Sequence, residues 1–314
     1  MKKILVTGAF GQIGTDLAPA LQKKYGMDNV VAMGYTNIPA DFKGISEQAS
    51  IDQLDKLEGM IKKHGIDTIY HLVSILSAKG EKDPDLTWQV NMGGLKNILD
   101  LAVKYKLKVF WPSTIAAFGP TTPKDQTPQR TVMEPTTIYG VTKVAGELLA
   151  QYYHNKFGVD IRSVRYPGII SWKAQPGDGT SDYAVAIFYE AVQGKNYTCF
   201  VKEDTMIPMM YMSDCVRATI GIMEAESSKL SVRTSYNLSG LSFTVKELAR
   251  EIQKYYPEFK VEYSPDFRQA IADSWPNSID DSVAQKDWGW EHEFDLAKMT
   301  GAMIENLKKK FNRK

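Results

Sequence analysis

Ile4-Leu5-Val6-Thr7-Gly8-Ala9-Phe10-Gly11-Gln12-Ile13-Gly14 is the stretch that decides the fold of this chain. Ile4–Thr7 are apolar or β-branched and read as a short strand; the glycines stop it, and Thr15–Lys24 is compatible with a helix. Strand, glycine turn and helix in that order make a dinucleotide fingerprint. The glycines permit the tight turn and let a pyrophosphate approach backbone N–H groups at the amino terminus of the helix. A plain βα turn is the alternative, and the position at the very first strand weighs against it. Gly8, Gly11, Gln12, Ile13 and Gly14 are thus candidate cofactor-binding residues.

The same alternation continues outward. Short apolar runs at 4–7, 30–33, 68–73, 109–112 and 162–166 alternate with amphipathic segments, the pattern of βαβ units in an α/β fold with a doubly wound parallel sheet. Helical spacing of apolar residues predicts helices over 85–105 and 138–157, the second behind the capping pair Thr136-Thr137. After Pro167 a Gly/Pro-rich stretch, 175–180, and a helix at about 183–193 mark a departure into a second lobe. A strand at 208–214 and a helix at 216–224 could rejoin the sheet, and 241–314 reads as mostly helices around an extended 260–264. The expected division is a dinucleotide-binding domain over 1–170, rejoined by about 208–240, and a smaller, discontinuous substrate-binding lobe from 171–207 and 241–314.

At 314 residues and 43% hydrophobic content the chain can bury a sizeable core. Its 38 Lys and Arg against 37 Asp and Glu leave no bulk field to attract nucleic acid or an anionic membrane. The two cysteines, Cys199 and Cys215, lie in no CxxC or Cys/His cluster, so neither a disulfide framework nor a metal site is expected. The amino-terminal apolar run is too short for a signal peptide, and no run approaches the roughly 18 apolar residues of a membrane span, so a cytoplasmic protein is expected.

Tyr139 and Lys143 stand four residues apart on one face of the predicted helix 138–157. A phenol with an ordinary pKa of about 10 is a poor base, but an adjacent cation stabilises its phenolate, so the pair is expected to take a proton from a hydroxyl. Ser113-Thr114-Ile115-Ala116-Ala117-Phe118-Gly119 adds hydroxyls just beyond the fourth predicted strand.

The GxxGxxG spacing, the serine/threonine segment and the Tyr139-Gly140-Val141-Thr142-Lys143 motif, in this order, resemble the extended short-chain dehydrogenase/reductases. That resemblance implies a Rossmann fold and a bound NAD. Aligned on Phe118-Gly119, it gives Thr114 the role of holding the substrate oxygen and Ser113 that of a neighbouring polar contact, with an exchange of the two roles left open. It matches Asn91 to an asparagine that orders a relay water, and the backbone of Tyr166-Pro167-Gly168 to a segment lying against the nicotinamide amide.

Longer stretches, among them Phe110-Trp111-Pro112-Ser113, Gly179-Thr180-Ser181-Asp182-Tyr183-Ala184 and Asp273-Ser274-Trp275-Pro276, look like the short-chain L-threonine 3-dehydrogenases over nearly the whole chain. The resemblance implies NAD-dependent oxidation of L-threonine to 2-amino-3-oxobutyrate in threonine catabolism, by a homodimer that pairs the helices at 85–105 and 138–157. A small zwitterion needs hydrogen-bonding groups, for which Ser74, Ser77 and Thr180 are the candidates, with Trp275 closing the apolar side. A sugar-nucleotide epimerase or dehydratase shares the fold and the catalytic pair, and a silent dinucleotide-binding redox sensor is the alternative outside enzymes. The chain departs from the family where the adenosine ribose is met: Gly34 stands in place of an Asp, and Ser50 in place of another that faces the adenine. With no Arg between 33 and 37, weak discrimination between NAD and NADP is expected, unless Tyr35, Thr36 or Asn37 substitutes for the missing carboxylate.

Overall fold

The computed structural model describes residues 1–36, 38–177 and 179–312; Asn37, Asp178 and the last two residues lie outside them. β1 (Ile4–Thr7) is followed by α1 (Gly14–Tyr25), β2 (Val30–Gly34), β3 (Ile45–Gln48), α2 (Leu54–His64) and β4 (Thr68–His71). Then come α3 (Ser77–Gly80), α4 (Pro84–Trp88), α5 (Gly94–Tyr105), β5 (Lys108–Phe110), β6 (Ser113–Thr114), α6 (Ile138–Phe157) and β7 (Ile161–Arg162). The six-stranded sheet runs β3-β2-β1-β4-β5-β7 and every pairing in it is parallel. Chain order reverses beside β1, so the carboxyl ends of β1 and β4 open the crevice in which doubly wound sheets hold ligands.

One predicted strand is corrected, and one predicted helix forms with a π-helical turn inside it. The strand expected at 162–166 breaks at Ser163: β7 stays in the main sheet, while β8 (Val164–Tyr166) joins β6, and later β12 (Tyr236–Asn237), in a separate three-stranded sheet. The helix expected over 85–105 is α4, a π-helical turn at Gln89–Gly93, and α5. β3 escaped prediction because it is an edge strand whose residues are only half covered, in alternation.

The chain continues through β9 (Gly168–Ile170), α7 (Tyr183–Val192), β10 (Tyr197–Cys199), β11 (Met206–Tyr211) and α8 (Met212–Glu224). β13 (Leu241–Thr244), α9 (Val245–Gln253), β14 (Val261–Tyr263), α10 (Arg268–Asp273), α11 (Ser282–Trp288) and α12 (Leu296–Lys310) complete it. β11 lies parallel to β9 and antiparallel to β13, and β10 pairs with β14.

Apolar side chains gather in three cores. One joins Leu17 and Leu21 of α1 to Cys215, Ala218 and Ile222 of α8. A second joins Leu57 and Ile61 of α2 to Leu95, Ile98 and Leu99 of α5 and Ala150 and Tyr153 of α6. The third gathers Phe188 of α7, Leu248 of α9 and Met303 and Leu307 of α12, and it also takes in Ile115, Phe118 and Tyr139. Helix α6 therefore packs into the second core through its carboxyl-terminal half and into the third at its amino-terminal end. Among the described residues no helix is long and apolar enough to cross a membrane, and no group of three or more His, Cys, Asp or Glu could hold a metal ion.

Candidate active site

Thr137 caps α6, its hydroxyl accepting from the Gly140 N–H, and so fixes where the helix begins and which way Tyr139 and Lys143 face. Both side chains are buried. The Lys143 ammonium donates to the Pro112 carbonyl at 2.7 Å and lies 4.7 Å from the Trp111 ring centroid and 5.4 Å from that of Tyr139. Burial pushes the Tyr139 phenol above its ordinary range against a hydrogen bond from Thr114, and brings Lys143 down to about 7 against the pull of Glu147. The ammonium is turned to Pro112, and desolvation is the larger influence on both groups, acting on the phenol against the lowering expected from a neighbouring cation.

The two hydroxyls of β6 are differently engaged. Ser113 Oγ donates to Glu147 Oε1 at 2.6 Å, and Glu147, wholly buried, also receives Arg165 through Nε at 2.9 Å and Nη2 at 2.7 Å. Arg165 reaches on to the Gln129 carbonyl and the Asn237 side chain. Thr114 keeps its hydroxyl in the cleft beside the phenol, where it also accepts from the Ala116 N–H at 3.3 Å.

A cleft of about 780 Å³, counting the part open to solvent, gathers most of the sequence-predicted residues. Gln12 and Ile13 enter from the glycine turn, Ser74 and Ser77 from the segment after β4, and Ser113, Thr114, Tyr139 and Lys143 from β6 and α6. Tyr166, Pro167, Thr180 and Trp275 complete the wall. The Tyr166 hydroxyl is bonded to Thr219 within the first core. Ser77, which opens α3, and Thr180, just before α7, have hydroxyls 3.5 Å apart. Asn91, on the π-helical turn, accepts from the Ile75 N–H at 2.8 Å and donates to the Ile75 carbonyl at 3.1 Å and to Thr142 at 3.1 Å. Its amide thus clamps the serine segment.

The glycine turn has the shape of a phosphate cradle. Gly8 has φ +72°, and a Cβ at Gly14 would come within 2.3 Å of the Gly8 carbonyl oxygen. No side chain caps the first turn of α1; the Thr15 N–H donates to the Gly11 carbonyl and those of Asp16 and Leu17 to the Ile13 carbonyl, so an anion would be met at the turn that precedes them. Gly34 and Ser50 do not line the cleft. Gly34 closes β2, beside the glycine turn, and Ser50 follows β3, its N–H bonded to Gln53.

Sequence reasoning missed His71, wholly buried, whose Nδ1 lies 2.7 Å from Thr7 Oγ1 and whose Nε2 has no hydrogen-bond partner among the described residues. It also missed the Glu147–Arg165 pair and the cleft residues Leu72, Pro112 and Asp182.

Over residues 4–239 the chain matches the NAD dependent epimerase/dehydratase family. An uncharacterized epimerase/dehydratase of Staphylococcus haemolyticus is 48% identical over 314 residues, covering 99% of each chain. The holo form of a GalE-like L-threonine dehydrogenase from Cupriavidus necator superposes with a TM-score of 0.96 at 52% identity, over 98% of this chain and 100% of that one. A monomeric L-threonine 3-dehydrogenase from a metagenome, in its apo form, superposes at 0.95 with 48% identity, over 98% and 99%. With the cradle at Gly8–Gly14, the tyrosine and lysine on one buried helix face, and a match that spans most of its length, the chain belongs to the NAD dependent epimerase/dehydratase family, the extended short-chain dehydrogenase/reductases, whose cofactor is NAD.

Proposed function

We propose that the protein oxidises the 3-hydroxyl of L-threonine to 2-amino-3-oxobutyrate, a step in threonine breakdown, as a cytoplasmic NAD-dependent enzyme. The observation that carries this reading is the meeting of Thr114 and Tyr139 in a cleft whose far wall brings two more hydroxyls, Ser77 and Thr180, within 3.5 Å of each other. About half-identity over whole chains with proteins described as L-threonine dehydrogenases supports it.

Bound NAD supplies the hydride acceptor. Tyr139 takes the proton from the 3-hydroxyl while hydride leaves C3, so one C–H and one O–H bond break as the C=O bond forms. Thr114 holds the reacting oxygen. Lys143, anchored on Pro112, sets the charge beside the phenol. Ser77, Thr180 and Ser74 hold the amino-acid end, Trp275 covers the methyl side, and Asn91 keeps the serine segment in register. The backbone at Tyr166 and Pro167 would hold the nicotinamide end of the cofactor, and Gly8, Gly11 and Gly14 with Gln12 and Ile13 would receive its pyrophosphate.

The test is formation of reduced cofactor with L-threonine against related alcohols and UDP-sugars. Turnover of L-threonine with no change in UDP-sugars is expected. Turnover of UDP-sugars alone would replace this reading with an epimerase or dehydratase. Binding of dinucleotide without turnover of any substrate would point to a redox sensor. We further propose a homodimer, formed through the outer face of α6. Val141, Leu148, Tyr152 and Phe157 are exposed there, and α4, which packs against α6, adds exposed Leu86 and Trp88.

A further inference from the structure

At the carboxyl edge of the sheet, Thr7 of β1 pairs with Met33 of β2, and the Ala9 N–H donates to the Met33 carbonyl at 3.1 Å. Gly34 therefore stands next to the glycine turn, where a Rossmann sheet meets the adenosine ribose, about 20 residues beyond the glycines. Nothing in the backbone asks for glycine there, since Gly34 is not among the residues with positive φ. The reason is spatial. A Cβ at position 34 would lie 2.6 Å from Phe10 Cδ2, 3.0 Å from Phe10 Cε2 and 3.1 Å from Ile38 Cγ1. The Phe10 ring is held in place by Phe42, which meets it edge-on with centroids 5.1 Å apart and planes at 88°.

We propose that Phe10 is the cofactor-specificity residue of this protein: its ring fills the place of the missing acidic side chain at 34, so the adenosine ribose meets an aromatic wall instead of a carboxylate. An aromatic wall neither accepts hydrogen bonds from the 2′- and 3′-hydroxyls nor repels a 2′-phosphate. The protein then binds NAD and NADP with comparable affinity. Residues 10 and 34 are coupled, and the acid cannot be restored at 34 while the ring remains. This rests on dinucleotide binding and is independent of the substrate.

The test is calorimetric titration of NADH and NADPH, without threonine, into the native protein, Gly34→Asp, Phe10→Ala and the double variant. The native protein should bind the two within roughly tenfold of each other, and Gly34→Asp alone should leave that ratio nearly unchanged. In the double variant the carboxylate has room; a charged hydrogen bond then shifts the ratio toward NADH by roughly ten- to a hundredfold. As a check that does not depend on folding of the Asp variant, Gly34→Ala should lower the melting temperature in the native background and much less with Phe10→Ala. A native preference for NADH above about a hundredfold, a full switch by Gly34→Asp alone, a double variant with the native ratio, or equal destabilisation by Gly34→Ala in both backgrounds would each overturn the proposal. If the protein binds both dinucleotides as expected but does not turn over threonine, the substrate reading fails and this one stands.

Discussion

The Ser113 hydroxyl donates to a Glu147 carboxylate oxygen at 2.6 Å, with both side chains buried and Arg165 closing the other side of the carboxylate. Adjacent hydroxyls on one short strand thus have separate duties: Ser113 completes a buried charge network, and Thr114 faces the phenol. Thr114→Val should lower kcat/KM for the substrate by roughly a hundredfold with little change in stability. Ser113→Ala should do the reverse, destabilising by about 1–3 kcal/mol as the carboxylate loses a partner while most activity survives. Steady-state kinetics and urea unfolding of the two variants check this; equal kinetic losses would return the exchange of roles to the field.

Tyr139→Phe removes the phenolic oxygen and keeps the ring in its core. Turnover should fall at least about a hundredfold while NADH binding stays near native, read by single-turnover kinetics and calorimetry. Lys143→Met removes the cation nearest the phenol, so the rising limb of the kcat/KM profile should move to higher pH. A limb that stays in place would mean that Lys143 only anchors on Pro112.

Burial holds His71 down to about 3, well below its ordinary value. Between about pH 3 and about pH 6.5 the unfolded chain binds a proton there that the folded chain does not, so stability falls as pH falls through this window. The loss attributable to His71 should be about 2 kcal/mol between about pH 7.5 and about pH 5. Urea midpoints for the native protein and His71→Gln, measured at both pH values, check this. An equally steep loss in the variant would place the acid sensitivity elsewhere.

The apolar stripe on α6 gives the proposed dimer a specific weak point. Leu148 is 56% exposed and Tyr152 53%. Light scattering at micromolar concentration should give a dimer for the native protein and a monomer for Leu148→Glu. A native monomer, as the metagenomic relative is described, would remove the interface.

The sheet, the glycine turn and helix α6 were legible because each is a local pattern: apolar period, glycine spacing, and two functional groups one helical turn apart. The predicted helix 138–157 matches α6, Ile138–Phe157. What stayed hidden depends on residues far apart in sequence. Nothing local marks Glu147, which gains its place only when Arg165 and Ser113 surround it. Gly34 reads as a lost carboxylate until Phe10 and Phe42 are seen in the space beside it. The direction in which Tyr139 titrates could not be read either, because burial is a property of the packed whole.

Tyr139 shares one apolar core with α7, α9 and α12, elements more than 40 residues further along the chain. The phenol therefore has no private foundation: loosening the carboxyl-terminal helices takes away the surface on which its ring rests. Catalytic competence and global order should vanish in a single cooperative event, so that a denaturation curve followed by activity superimposes on one followed by circular dichroism. For this molecule a simple rate assay doubles as a thermometer of the whole fold.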